Sequence, residues 1–137
     1  MSCLIPGQLI KLWCDWLQKP KYFLVVSTID DDKPLLFWIS SEKPCFCSDP
    51  AIDADFLLIK KQEYPFFDHD SWLDCGDVCN RFTWSSIEYQ LKIKMGWVCG
   101  AISLMTKTEV MQAIGNSERL STLHQRLASE GLSPSED

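Results

Sequence analysis

From Ile10 the chain alternates with a period of two: Ile10, Leu12, Cys14 and Trp16 fall on one side, and Lys11, Trp13 and Asp15 on the other. That is the pattern of a half-buried strand, and Pro6-Gly7 ahead of it is a turn signal. Lys19-Pro20-Lys21 interrupts the pattern, after which Tyr22 to Thr28 is an aromatic and β-branched run that predicts a strand covered on both faces. A charged loop, Asp30-Asp31-Asp32-Lys33-Pro34, separates it from a second apolar run, Leu35 to Ile39, so the two runs form a hairpin that ends at Ser40 and Ser41. Residues 42–54 hold prolines and acids without periodicity and predict a long loop, with a short strand around Phe46. Phe56 to Ile59 is a fourth strand. Tyr64-Pro65 breaks it, and Phe67-Asp68-His69-Asp70 leads into a further short strand at Ser71 to Cys75.

The C-terminal half changes character. Between Thr83 and Met95, Ile87, Tyr89, Leu91 and Ile93 alternate with Glu88, Gln90, Lys92 and Lys94, which argues strand. Ser85 followed by Glu88 is a capping box, which argues helix; both readings stand, the helix preferred. Thr106 with Glu109 repeats the capping box, and Val110, Met111 and Ile114 continue it as a short helix ending at Gly115. Leu120, Leu123 and Leu127 predict a last helix that stops near Gly131, leaving Leu132 to Asp137 as a frayed acidic tail. Short strands followed by helices predict a mainly β, α+β fold: a small, partly open barrel with C-terminal helices, forming one domain over residues 1–131 and a disordered tail over 132–137.

Composition narrows the class. At 137 residues and 46% hydrophobic, the chain has the material for one core. Its longest apolar runs fall far short of the roughly 20 residues that span a membrane, so no membrane segment is expected. Seven cysteines, an odd number without secretory context, predict reduced, buried thiols and a cytoplasmic location. A net charge of −6 opposes a general attraction to nucleic acid, so any RNA site requires a local basic patch. Lys60-Lys61 together with Lys19 and Lys21 is the candidate patch, against the plainer reading of a solvated face. Six tryptophans are expected mostly in the core, with Trp13 and Trp84 as candidates for stacking on bases.

Several stretches together suggest a family. Pro6-Gly7-Gln8, Phe23-Leu24-Val25-Val26-Ser27, Leu36-Phe37-Trp38-Ile39-Ser40-Ser41 and His69-Asp70-Ser71-Trp72-Leu73-Asp74-Cys75 resemble PemK/MazF-type toxins and their toxin-like relatives over roughly residues 5–75. Gly100-Ala101-Ile102-Ser103 and Ser117-Glu118-Arg119-Leu120-Ser121 are similar to the tail of those relatives. The resemblance implies an SH3-like barrel, a homodimer, metal-independent cleavage of single-stranded RNA, and silencing by an acidic antitoxin.

Cleavage by internal attack of a ribose 2′-hydroxyl needs a proton acceptor, a cation or donor for the charge-rich phosphorane, and an acid for the leaving oxygen. The family's arginine lies just before the strand ending Val-Val-Ser, and counting back from Ser27 places Lys21 there. Lysine supplies a cation without the planar fork that binds two phosphate oxygens, which predicts weaker stabilisation. The family's hydroxyl at the end of the next strand falls on Ser40 or Ser41; a serine there is also ordinary turn chemistry. His69, between Asp68 and Asp70, is the candidate for proton transfer, against a plain hydrogen bond to backbone. Asp70 and Ser71 are expected to orient the loop. Cys45-x-Cys47 and Cys75-x3-Cys79 do not have zinc-ribbon spacing, so neither a metal nor a cofactor is expected. Two functions remain open: a ribonuclease toxin acting through Lys21 and Ser40 or Ser41, and a non-enzymatic inhibitor or adaptor that uses the same barrel to bind a protein.

Overall fold

The computed structural model describes residues 4–43 and 49–133. In chain order the elements are β1 (Gln8–Cys14), β2 (Lys19–Ser27), β3 (Leu35–Ser40), α1 (Pro50–Asp53), β4 (Phe56–Ile59), β5 (Ser71–Cys79), α2 (Trp84–Ile93), β6 (Trp97–Ala101), α3 (Leu104–Asn116) and α4 (Thr122–Leu132). The strands form one antiparallel sheet in the order β4-β5-β3-β2-β1-β6, a half-barrel that agrees with the mainly β, partly open barrel expected from sequence.

Alternation along the central strands sends side chains to two separate cores. Leu24, Val26, Phe37, Ile39 and Leu73 face one side, where Val110, Ala113, Ile114, Ala128 and Leu132 of α3 and α4 cover them. Phe23, Val25, Leu36 and Cys79 face the other, closed by Phe82 and by Ile87 of α2. This is why β2 and β3 read as unbroken apolar runs: a strand covered on both faces has no polar side. α4 lies so close to the sheet that a Cβ on Gly131 would collide with the carbonyl oxygen of Val26.

Several expectations change. The segment 83–95 is helical, but its cap is Thr83, whose hydroxyl accepts from the Ser86 amide at 3.1 Å, not Ser85. Likewise the cap of α3 lies three residues earlier than Thr106, at Ser103. Thr106 instead joins a buried network in which Tyr64 donates to it at 2.8 Å and accepts from the Ser103 amide at 3.0 Å, tying the β4–β5 loop to α3. The sheet has a sixth strand, β6, that the pattern did not announce. Trp97-Val98-Cys99-Gly100-Ala101 has no alternation, and it is a strand because β1 offers it a partner. β5 runs on to Cys79, four residues past the expected end, and Pro50–Asp53 is a short helix within the predicted loop. Leu132, expected to open the frayed tail, closes α4 and is fully buried. The strand predicted around Phe46 lies outside the described residues. No tryptophan is fully buried: Trp16 and Trp97 are 37% and 47% exposed and the other four are half-buried. A wide indole on a thin half-barrel reaches past the sheet's edge even when one face is packed.

Candidate functional site

The β2–β3 register that pairs Tyr22 with Ile39 brings Lys21 opposite Ser40, at the open end of the hairpin. Their side chains meet: the Lys21 ammonium donates to Ser40 Oγ at 3.3 Å. Beyond them the β4–β5 loop folds back over the hairpin end, held by an edge contact between Tyr22 and Phe67 with ring centroids 4.7 Å apart. The result is a cleft of about 210 Å³ lined by Lys19, Lys21 and Tyr22 from β2, Ser40 and Ser41 from the end of β3, and Asp68, His69 and Ser71 from the loop and the start of β5. All four residues singled out from sequence, Lys21, Ser40, Ser41 and His69, therefore border one cavity, although the chain separates them by up to 48 positions.

Local chemistry fixes the loop wall. Asp70 accepts from the Lys61 amide at 2.9 Å and Ser71 donates to the His69 carbonyl at 3.3 Å, so both residues orient the loop as expected. His69 Nδ1 is 3.1 Å from the Asp70 carbonyl oxygen. A carbonyl only accepts, so that contact places the proton on Nδ1 and the basic lone pair on Nε2. The ring is exposed to solvent. Lys21 is half-buried, and its pKa lies below the ordinary lysine value, chiefly because burial disfavours the ammonium and secondly because Lys19 carries the same charge nearby. Lys19 and Lys21 make the β2 side of the cleft basic, and Lys61 reaches its other wall by donating to the Asp68 carbonyl at 3.3 Å. Lys60 does not line the cavity.

Other sequence candidates are dispersed. Cys75 lies in the core beneath α3 and α4 while Cys79 lies in the core beneath α2, so the pair cannot converge on His69 as metal ligands. Cys45 and Cys47 are outside the described residues. Burial pushes the Cys14 thiol up to about 11, with Cys79 adding to the shift, and raises Cys75 and Cys79 as well. These are protonated thiols acting as small apolar groups. Trp13 and Trp84 are half-buried, their indoles donating to Asp15 and to the Asp30 carbonyl at 2.9 and 2.7 Å, which commits both polar edges to the fold.

A second polar cluster was not found from sequence. Arg119 donates to Asp55 at 2.7 Å and also to Asp74, joining the α3–α4 connection to the residue just ahead of β4 and to β5. Asp55 is almost fully buried, and Asp74 also accepts from the Gly76 amide at 2.9 Å. Gly76 leaves the room: a Cβ there would collide with the Asp55 carboxylate and the Arg119 guanidinium. With Nε and Nη2 of the guanidinium each bonded to a carboxylate, the cluster locks these elements together. The only sequence signal was an arginine among serines, Ser117-Glu118-Arg119, with nothing to indicate its distant partners.

Fold and site together define a partly open antiparallel barrel with a cation and hydroxyl cleft at the end of its central hairpin. No protein-family model matches the chain. No curated protein matches it.

Proposed function

We propose that this chain is a PemK/MazF-like, metal-independent endoribonuclease acting inside the cell as a toxin, with the cleft at Lys21 as its active site. The observation that carries the reading is the Lys21–Ser40 hydrogen bond in a cavity that Ser41 and His69 also line. The ribose 2′-hydroxyl attacks the adjacent phosphorus, the P–O5′ bond breaks, and a 2′,3′-cyclic phosphate and a 5′-hydroxyl result. His69 Nε2 takes the 2′ proton. The Lys21 ammonium and the hydroxyls of Ser40 and Ser41 meet the charge that gathers on the phosphorane oxygens, stabilisation that a preorganised, partly dehydrated site makes strong. The protonated His69 then returns a proton to the leaving oxygen. On this reading the chain works as a homodimer and an acidic antitoxin silences it by occupying the basic wall of Lys19 and Lys21.

A second reading, a non-enzymatic protein-binding module, is favoured by Leu104 and Met105, which open α3 at 73% and 74% exposed. The two readings separate on RNA integrity after induction of the wild-type chain, Lys21→Ala and Ser40→Ala/Ser41→Ala in a bacterial host. Fragmented RNA with wild type and intact RNA with both variants is expected. Intact RNA in all three, with the wild-type protein folded and abundant, overturns the ribonuclease reading in favour of the second.

A further inference from the structure

The cleft does not end at Tyr22. Pairing sets Tyr22 of β2 opposite Lys11 of β1, and Lys11 opposite Trp97 of β6, so three side chains on adjacent strands share one row on one face. The Lys11 ammonium lies 5.1 Å from the centre of the Tyr22 ring and 4.9 Å from that of Trp97, a cation held between two aromatic faces. Tyr22 lines the cleft, whereas Trp97 lies two strand spacings, roughly 10 Å, away at the sheet edge, 47% exposed.

Charge points the same way. Residues 89–108 contain Lys92, Lys94 and Lys107 and no Asp or Glu, in a chain whose acids outnumber its bases 19 to 13. Lys92 lies in the last turn of α2 and Lys94 caps it in the left-handed conformation, both exposed, and the turn that follows brings Gly96 onto the Lys11 carbonyl at the outer edge of β1. Lys11 and the exposed lysines at the end of α2, in a stretch bounded by Glu88 and Glu109, are the candidate for the local basic patch that RNA requires on an acidic protein.

We infer that single-stranded nucleic acid leaves the cleft along this row, one base stacking on Trp97 and the following phosphates meeting Lys11, Lys92 and Lys94. Stacking tolerates any base, because every base offers a π face, and the lysines contribute the salt-dependent part of binding. The inference rests on the ribonuclease reading for the identity of the cleft, and it makes Trp97 a positioning residue for the substrate rather than a catalytic one.

The test is the fluorescence anisotropy of a short, fluorescein-labelled oligothymidylate, which has no 2′-hydroxyl and cannot be cut by internal attack. The wild-type chain is expected to bind it with an affinity that falls as salt rises. Trp97→Ala should weaken binding roughly tenfold and Trp97→Phe should restore most of it, while Lys92→Glu/Lys94→Glu should weaken it and flatten the salt dependence. In RNA cleavage, Trp97→Ala should raise KM and leave kcat. Circular dichroism confirms that each variant is folded. Equal binding by wild type and Trp97→Ala overturns the track, as does binding of a polyglutamate peptide in place of the oligonucleotide, which would make this face a protein-docking surface. Cleavage absent but binding dependent on Trp97 sinks the ribonuclease reading and keeps the track; cleavage present with KM unchanged in Trp97→Ala does the reverse.

Discussion

On the proposed ribonuclease reading, Lys21 is the residue on which the chemistry turns. Removing its ammonium by Lys21→Ala leaves phosphorane charge without a cation, and kcat for RNA should fall by about a hundredfold to a thousandfold, the size of effect seen when one preorganised donor is lost. Lys21→Arg should move kcat the other way, because the guanidinium fork engages two phosphate oxygens where the ammonium engages one. The pH profile follows from the same side chain. Burial and Lys19 hold its pKa below the ordinary lysine value, so cleavage should be lost with rising pH earlier than an exposed lysine would titrate. At this scale the sequence was informative where a strand fixed the position: the resemblance placed its cation at Lys21 and its hydroxyl at Ser40 or Ser41, beside two apolar runs, and those runs are β2 and β3, which pair so that Lys21 meets Ser40. It was uninformative about Arg119, whose partners Asp55 and Asp74 lie 64 and 45 positions away. Asp77 beside that cluster has a raised pKa, from burial first and from Asp74 second. The folded state then holds a proton that the unfolded state has released, so stability declines as pH rises from the ordinary carboxylate range through the raised value. Asp77→Asn should accordingly be more stable than wild type near neutral pH in urea titrations, and the advantage should vanish in acid.

Among the elements, α4 and α2 show how close packing replaces sequence signals. Gly131 looks like a helix stop, yet it is inside α4, where its missing side chain lets the helix rest on the Val26 carbonyl. Gly131→Ala should cost about 1–3 kcal/mol or more of unfolding free energy, measured by chemical denaturation, despite alanine's better helix propensity. Gln90 makes a comparable substitution for a strand. Its amide accepts from the Trp13 amide at 2.8 Å and donates to the Trp13 carbonyl at 3.0 Å, serving the outer edge of β1 just beyond the Lys11–Trp97 pair where β6 begins. The alternation across residues 87–94 argued strand against the preferred helix; the segment is a helix, and Gln90, one of the polar positions of that alternation, is buried. β2 and β3 were legible because both of their faces are covered and their apolar runs are continuous. β6 was not, since Gly100 and the exposed Trp97 and Val98 give it neither alternation nor a run, and its strand conformation comes from β1 across the chain.

For the whole molecule, the proposed nucleic-acid function requires an acidic protein to segregate its charge. On the proposed path the bases are Lys19 and Lys21 at the cleft, Lys11 between Tyr22 and Trp97, and the exposed Lys92 and Lys94 at the end of α2. Asp68 is the acid on the cleft wall; others gather in the Asp30-Asp31-Asp32 loop and in the Asp55 and Asp74 pair that shares Arg119. Among the described residues no helix is long and apolar enough to cross a membrane, in keeping with the short apolar runs of the sequence. Net charge announced none of this arrangement, because it sums over surfaces that the fold keeps apart. The most direct test of the central claim is to incubate the purified chain with single-stranded RNA in excess EDTA and identify the new ends. The account predicts cleavage that gives 2′,3′-cyclic phosphate and 5′-hydroxyl ends and is lost in Lys21→Ala. RNA left intact by folded wild-type protein, or cleavage that Lys21→Ala retains in full, would contradict it.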